Sequence, residues 1–234
     1  MKTIGLIGGM SWESTVTYYQ IINETVKESL GGYHSAKILL YSVDFAEIEA
    51  ALRTEDWEKN TCILTDAALR LERAGADCVL IGTNTLHKIA DEVSAQLNVP
   101  LLHIAEATAD ALAKNGIKKT ALLGTRFTME QNFFKEKLEH RGIDVLLPNA
   151  EEREQIDRVI FGELCLGVLS QESKQRYLDI IDNLAQCGAQ AVILGCTEIG
   201  LLISQKDTTV PLYDTTEIHA KRAAAFALET AENN

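Results

Sequence analysis

The chain has 234 residues, 46% hydrophobic and 24% charged, a balance that excludes disorder and suffices for one large or two small buried cores. Its formal net charge of −12 opposes nucleic acid and anionic membrane, whose phosphates demand clustered Lys and Arg. No segment nears the ~18–20 uninterrupted apolar residues of a membrane span, and no leader precedes the first apolar run at 3–7. Small-molecule chemistry in the cytoplasm is therefore expected.

Short runs rich in Ile, Leu and Val alternate with longer amphipathic stretches. In chain order, 3–7 reads as a strand, followed by a Gly8-Gly9 loop and a helix over 18–29; 36–43 is a second strand, 59–74 a second helix and 78–81 a third strand. Beyond Val99-Pro100 come a helix over 104–115, a strand at 120–123, a helix over 130–141 and a strand at 145–147. The charge run 151–154 reads as a solvated helix start. A helix over 174–187, a strand at 191–194 and a last helix from about Thr215 complete the series. Such alternation predicts an α/β protein with parallel sheets flanked by helices.

The chain contains its own duplicate. AGADCVLIGTNT at 74–85 returns as CGAQAVILGCTE at 187–198, and Val99-Pro100-Leu101 returns as Val210-Pro211-Leu212. A packed array of short repeats needs at least three units, so two copies imply two related α/β domains instead. The expected domains are 1–99 plus 212–234, and 100–211, pseudo-symmetric with a ligand cleft between them.

In an open α/β sheet, a strand ending in Gly and followed by polar residues aims side chains at the carboxyl edge, where ligands bind. A helix start at the same place would offer backbone N–H groups and partial positive charge to a carboxylate. One turn would hold Thr83, Asn84 and Thr85, the other Cys196, Thr197 and Glu198, around one small anion. Capping hydroxyls are the ordinary use of such residues, but recurrence of the whole context with a thiol in one copy favours a site. His87 and His219 are lesser candidates.

The five cysteines form neither a short-spaced metal pair nor the framework of a small secreted domain, so free thiols and no metal are expected. Cys62, Cys78, Cys165 and Cys187 read as small buried hydrophobes, whereas Cys196 reads as a thiol exposed at a strand end. Glycines at 8 and 9 do not fit G-x-G-x-x-G, and phosphate-loop and nucleophile-elbow motifs are lacking. An enzyme without a cofactor is left.

Taken together, GLIGGMSWEST at 5–15, YSVDF at 41–45, GTNTLHK at 82–88, LLGTRFTM at 122–129, GCTEI at 195–199 and DTTEIHA at 214–220 resemble the aspartate/glutamate racemase family over almost the whole chain. The resemblance implies racemisation of acidic amino acids without pyridoxal phosphate, between two cysteines contributed by two α/β domains. It implies Cys196 as a catalytic residue, Asn84, Thr85 and Thr197 as holders of the α-carboxylate, Met10 and the loop to Ser14 as a cover, and Thr125 as part of the lining. A homodimer is the expected assembly.

The chain departs from the two-cysteine pattern at Thr83. A thiol can be tuned to accept or return a proton, whereas a threonine hydroxyl does not ionise unaided, so Thr83 is expected to relay or donate a proton and the two directions to differ. Single-cysteine decarboxylation or isomerisation of a small dicarboxylic acid is the alternative activity, and carboxylate binding without catalysis is a second alternative. Arg53, Lys88 and Arg126 are conceivable partners for a side-chain carboxylate.

Overall fold

The computed structural model describes residues 1–229. The chain divides into two compact units: Met1–His103 with the chain from His219 onward, and Ile104–Ile218. Expected domain ends at 99 and 212 shift for a hydrogen-bonding reason. Pro100 and Leu102 bond to Val79 in the first unit, whereas Leu212–Asp214 pairs with a strand of the second. The stretch 230–234 of the expected first domain lies outside the described residues.

In unit 1 the elements run β1 (Thr3–Gly8), α1 (Trp12–Leu30), β2 (Lys37–Ser42), α2 (Phe45–Arg53), α3 (Trp57–Arg73), β3 (Cys78–Ile81), a 3-10 turn at Thr85–Ile89 and α4 (Ala90–Ser94). The sheet is parallel with order β2-β1-β3. Alternate residues of β3 serve opposite cores: Val79 and Ile81 pack with Leu64, Ala68 and Leu71 of α3, while Cys78 and Leu80 pack with Tyr18, Ile22 and Val26 of α1. Burial on both faces explains why this strand is an unbroken apolar run.

Unit 2 continues with α5 (Ile104–Lys114), β4 (Lys119–Gly124), α6 (Arg126–Glu130), α7 (Asn132–Glu139), β5 (Asp144–Leu146), α8 (Ala150–Gly162), α9 (Gln171–Gln186), β6 (Ala191–Gly195), α10 (Ile199–Leu202), β7 (Leu212–Asp214) and α11 (Thr215–Leu228), the last re-entering unit 1 at His219. Its sheet is also parallel, in the order β5-β4-β6-β7. The start of α8 is a capping box: Asn149 Oδ1 accepts from Glu152 N while Glu152 Oε2 accepts from Asn149 N. The run 151–154 is therefore a helix start. Strand β7 and helix α2 were not anticipated, β7 because three residues carry no period and α2 because it follows β2 without a breaker.

The duplicated segments keep equivalent bonds. Val79 N donates to Pro100 O and Val192 N to Pro211 O, each at 2.9 Å. Asp77 Oδ2 accepts from Thr3 N at 2.6 Å, and Gln190 Oε1 accepts from Lys118 N and Lys119 N at 2.7 and 3.0 Å. Each copy thus braces the first residue of the neighbouring strand through the same sequence position. Replacing either Asp77 or Gln190 with Ala is expected to cost about 1 kcal/mol, read as a Tm lower by ~2–4 °C. An unchanged Tm in both variants would show that the braces carry no stability.

Candidate functional site

The site residues assemble as two strand-end groups, one in each unit. In unit 1, Gly82 N donates to Ile7 O and Thr83 N to Ile81 O, each at 2.9 Å, so the chain turns sharply as it leaves β3. Asn84 and Thr85 are buried beyond it and Thr83 is half-buried. The adjacent end of β1 carries Gly9, whose φ is +88° and whose imagined Cβ would lie 2.4 Å from Val43 O, so that only glycine fits. Ser11 then caps α1, Ser14 spends its hydroxyl on Ser11 O at 3.0 Å, and Met10 is buried against the unit 1 core.

Strands β4 and β6 end side by side in unit 2, with Gly124 paired to Gly195. A Cβ on either would stand 2.7 Å from a facing backbone oxygen, and this close approach brings Thr125 and Cys196 to neighbouring strand ends. Thr125 caps α6, accepting from Thr128 N at 3.3 Å. Cys196, Thr197 and Glu198 are all buried, and Cys196 Sγ donates to Glu198 Oε2 at 2.9 Å.

Two expectations change here. Cys196 is buried, only 7% exposed, because its turn continues directly into Ile199 and Leu202, which pack into the unit 2 core. The elements after the turns are also short, five residues at Thr85–Ile89 and four at Ile199–Leu202, too few to add peptide dipoles into a useful field. Cys196 is consequently not tuned toward thiolate. Burial first, then the neighbouring Glu198, push its thiol well above its ordinary value, and the resting group is a neutral S–H donor.

Burial alone does not distinguish Cys196. Cys78 is also buried and is pushed up to about 12 by burial, but it lies at the start of β3 within an apolar cluster. Cys62 and Cys187 are exposed and Cys165 half-buried, against the expectation of buried hydrophobes. Cys62 falls off the buried stripe of α3, and Cys187 sits at the C-terminal cap of α9. Among the described residues, no three His, Cys, Asp or Glu side chains are grouped to hold a metal ion.

Of the three cations, Arg53 pairs with Glu49 on an exposed helix face. Lys88 lies 3.8 Å from the Trp57 ring centroid on the turn that follows Thr83, and Arg126 directly follows Thr125.

Sequence reasoning missed a group behind Thr83. His87, His103 and His219 are buried together, with ring centroids 4.6 Å apart for His87 and His103 and 5.6 Å for His87 and His219. Tyr18 Oη lies 2.9 Å from His219 Nδ1, and His219 Nε2 lies 2.7 Å from Leu102 O. His103 carries no local signal, and the three positions are far apart in the chain, so only the fold unites them.

Burial lowers His219 to about 3 and His87 well below its ordinary value. These rings stay neutral while the unfolded chain takes up protons below ~6.5, so the stability they hold is complete above that pH and declines as pH falls. Asp214, pushed up to about 6 by burial, acts in the opposite sense. A difference measurement removes that term. The stability gap between the native chain and His219→Phe, from urea unfolding, is expected to narrow by about 2 kcal/mol from pH 7 to pH 5. A gap independent of pH would contradict the neutral buried ring.

Among the described residues, no helix is long and apolar enough to cross a membrane. The model of the Asp/Glu/hydantoin racemase family matches residues 7–223. The chain is 23% identical over 228 residues to the broad specificity amino-acid racemase RacX of Bacillus subtilis (strain 168), covering 96% of this chain and 98% of the relative. A crystal structure from Yersinia pestis, of a protein proposed to be an Asp/Glu racemase, is 51% identical with a TM-score of 0.91, covering 98% of this chain and 100% of that one. An aspartate racemase homologue from Pyrococcus horikoshii OT3 is 39% identical with a TM-score of 0.85, at 98% and 100% coverage. A duplicated parallel α/β fold, a cysteine at the second strand end and a family match across nearly the whole sequence agree, and the chain belongs to the Asp/Glu/hydantoin racemase family.

Proposed function

We propose that this isomerase racemises acidic amino acids, aspartate or glutamate, without pyridoxal phosphate, using Cys196 as its principal acid/base group. One observation carries the reading: a buried thiol at a strand end donates its proton to a carboxylate 2.9 Å away. A protein that only bound a carboxylate would have no use for that pair. Acidic specificity is supported by the relative from Yersinia pestis, proposed to be an Asp/Glu racemase, and by the aspartate racemase homologue from Pyrococcus horikoshii OT3.

In this reading Asn84, Thr85 and Thr197 hold the α-carboxylate, while Met10, Ser14 and Thr125 enclose the substrate. Glu198 takes the thiol proton, leaving a thiolate that removes the α-proton from one face of the substrate carbon. The resulting carbanion takes a proton on its other face from the Thr83 hydroxyl, which draws a replacement from water, or from a water held there, and the proton released by Glu198 neutralises the hydroxide so formed. Returning a proton to the first face instead gives exchange without inversion. In the reverse direction Thr83 would have to act as a base, for which its hydroxyl is poorly suited, so the enantiomers should differ in turnover or binding while the kcat/KM ratio obeys the equilibrium.

Decarboxylation or isomerisation of a small dicarboxylic acid is the second reading, favoured by Thr83 because one cysteine can protonate a carbanion on one face. The homodimer and cytoplasmic location expected from the sequence belong to the proposal too. Sedimentation velocity tests the dimer, and a monomer mass at micromolar concentration would remove it.

The experiment is α-proton exchange with each common amino acid in deuterated water, followed by NMR and optical rotation. Exchange with aspartate or glutamate is expected, and absence of exchange with both would sink the racemase reading. Cys196→Ala should lose activity by at least the ~10²–10⁴-fold of a general acid/base group, whereas Cys78→Ala should change stability and spare turnover. Thr83→Cys should raise turnover of the poorer enantiomer. Equal kcat and KM for both enantiomers of the native enzyme would refute the assignment of Thr83.

A further inference from the structure

We propose that His87 is a positioning residue for Thr83: wedged by His103 and His219, it holds the Thr83 carbonyl and so fixes the direction of the Thr83 side chain. The proposal rests on the racemase reading and adds how the second face of the substrate is served.

The hydrogen-bond chemistry assigns the tautomers. His87 Nδ1 lies 2.7 Å from Thr83 O, and a carbonyl only accepts, so His87 carries its proton on Nδ1. His219 Nε2 lies 2.7 Å from Leu102 O and must likewise carry a proton. In a neutral ring that leaves His219 Nδ1 as an acceptor, filled by the Tyr18 hydroxyl at 2.9 Å. These two donors both end on backbone carbonyls. A carbonyl oxygen has no proton to hand on, so the contact from His87 to Thr83 O positions the residue and transfers no proton.

What the cluster does control is the backbone. Thr83 N is tied to Ile81 O at 2.9 Å and Thr83 O to His87 Nδ1 at 2.7 Å, so both its main-chain polar groups are engaged and the Cα–Cβ direction is set. His87 is itself wedged at its ring edges by His103 and His219, with interplanar angles of 62° and 70°. Tyr18 comes from α1 and His219 from α11, so two helices of unit 1 fix a ring on the turn after β3. Burial, more strongly than the backbone carbonyls beside them pull the other way, pushes His87 and His219 toward the neutral form.

A misplaced Thr83 should spare the Cys196 face and fail on the other. The test measures, for one enantiomer in deuterated water, α-proton exchange with retained configuration and inversion by chiral chromatography with mass analysis. His87→Ala is expected to raise the ratio of exchange to inversion at least tenfold, lowering kcat for inversion while KM changes less than threefold. His87→Asn, whose amide N–H stands near the place of Nδ1–H, should restore the native ratio within threefold. Parallel loss of exchange and inversion, or His87→Asn no better than His87→Ala, would overturn the proposal. The unmodified protein supplies a measurement independent of activity and of variant folding. Long-range 15N NMR at pH 7 should show His87 neutral and protonated at Nδ1 and His219 neutral and protonated at Nε2, and a charged ring or the opposite tautomer at either position would overturn it equally. Failure of the parent reading is seen separately, as absence of any exchange in the native enzyme.

Discussion

The hydrogen bond from Cys196 Sγ to Glu198 Oε2, 2.9 Å long and buried, sets the chemistry available at the end of β6. A thiol enclosed this way does not ionise spontaneously, since burial and the adjacent carboxylate both oppose the thiolate. The same carboxylate accepts the hydrogen bond of the thiol. In the proposed reaction the same pair keeps the thiol neutral at rest and supplies the acceptor for its proton.

The geometry depends on backbone approach in both copies of the duplicate. Gly124 and Gly195 let β4 and β6 meet where side chains would collide, which delivers Thr125 and Cys196 to adjacent positions. In unit 1, Gly9 performs the comparable service beside β2, allowing the loop before α1 to turn against Val43. The two turns are then finished by different means. Cys196 is held by a side chain two residues on, Thr83 by a histidine four residues on. The proposed reaction, in which the two copies handle protons differently, uses this divergence within a preserved frame.

Much of this was legible before the fold was known. The alternation of apolar runs and amphipathic stretches marked β1 to β6 and most of the longer helices, most clearly at β1, β3, β4 and β6, which are buried almost throughout and so must be apolar. The repeat located Thr83 and Cys196 at equivalent strand ends. What was not legible depended on distance in space. Nothing local to 87, 103 or 219 says that the rings meet, and nothing local to Cys196 says that Ile199 and Leu202 bury its turn. The domain ends were likewise misplaced by a few residues, because strand pairing and not composition decides where Pro100–Leu102 and Leu212–Asp214 belong.

The most direct measurement of the central claim is the pH dependence of Cys196 alkylation by iodoacetamide, followed by peptide mass analysis, in the native chain and in Glu198→Gln. With a neutral thiol buried beside a carboxylate, the native profile should rise only well above the ordinary thiol range, and removing the charge should shift it to lower pH. A native thiol that reacts fully at neutral pH, or a Glu198→Gln profile that is unmoved or shifted upward, would contradict the account.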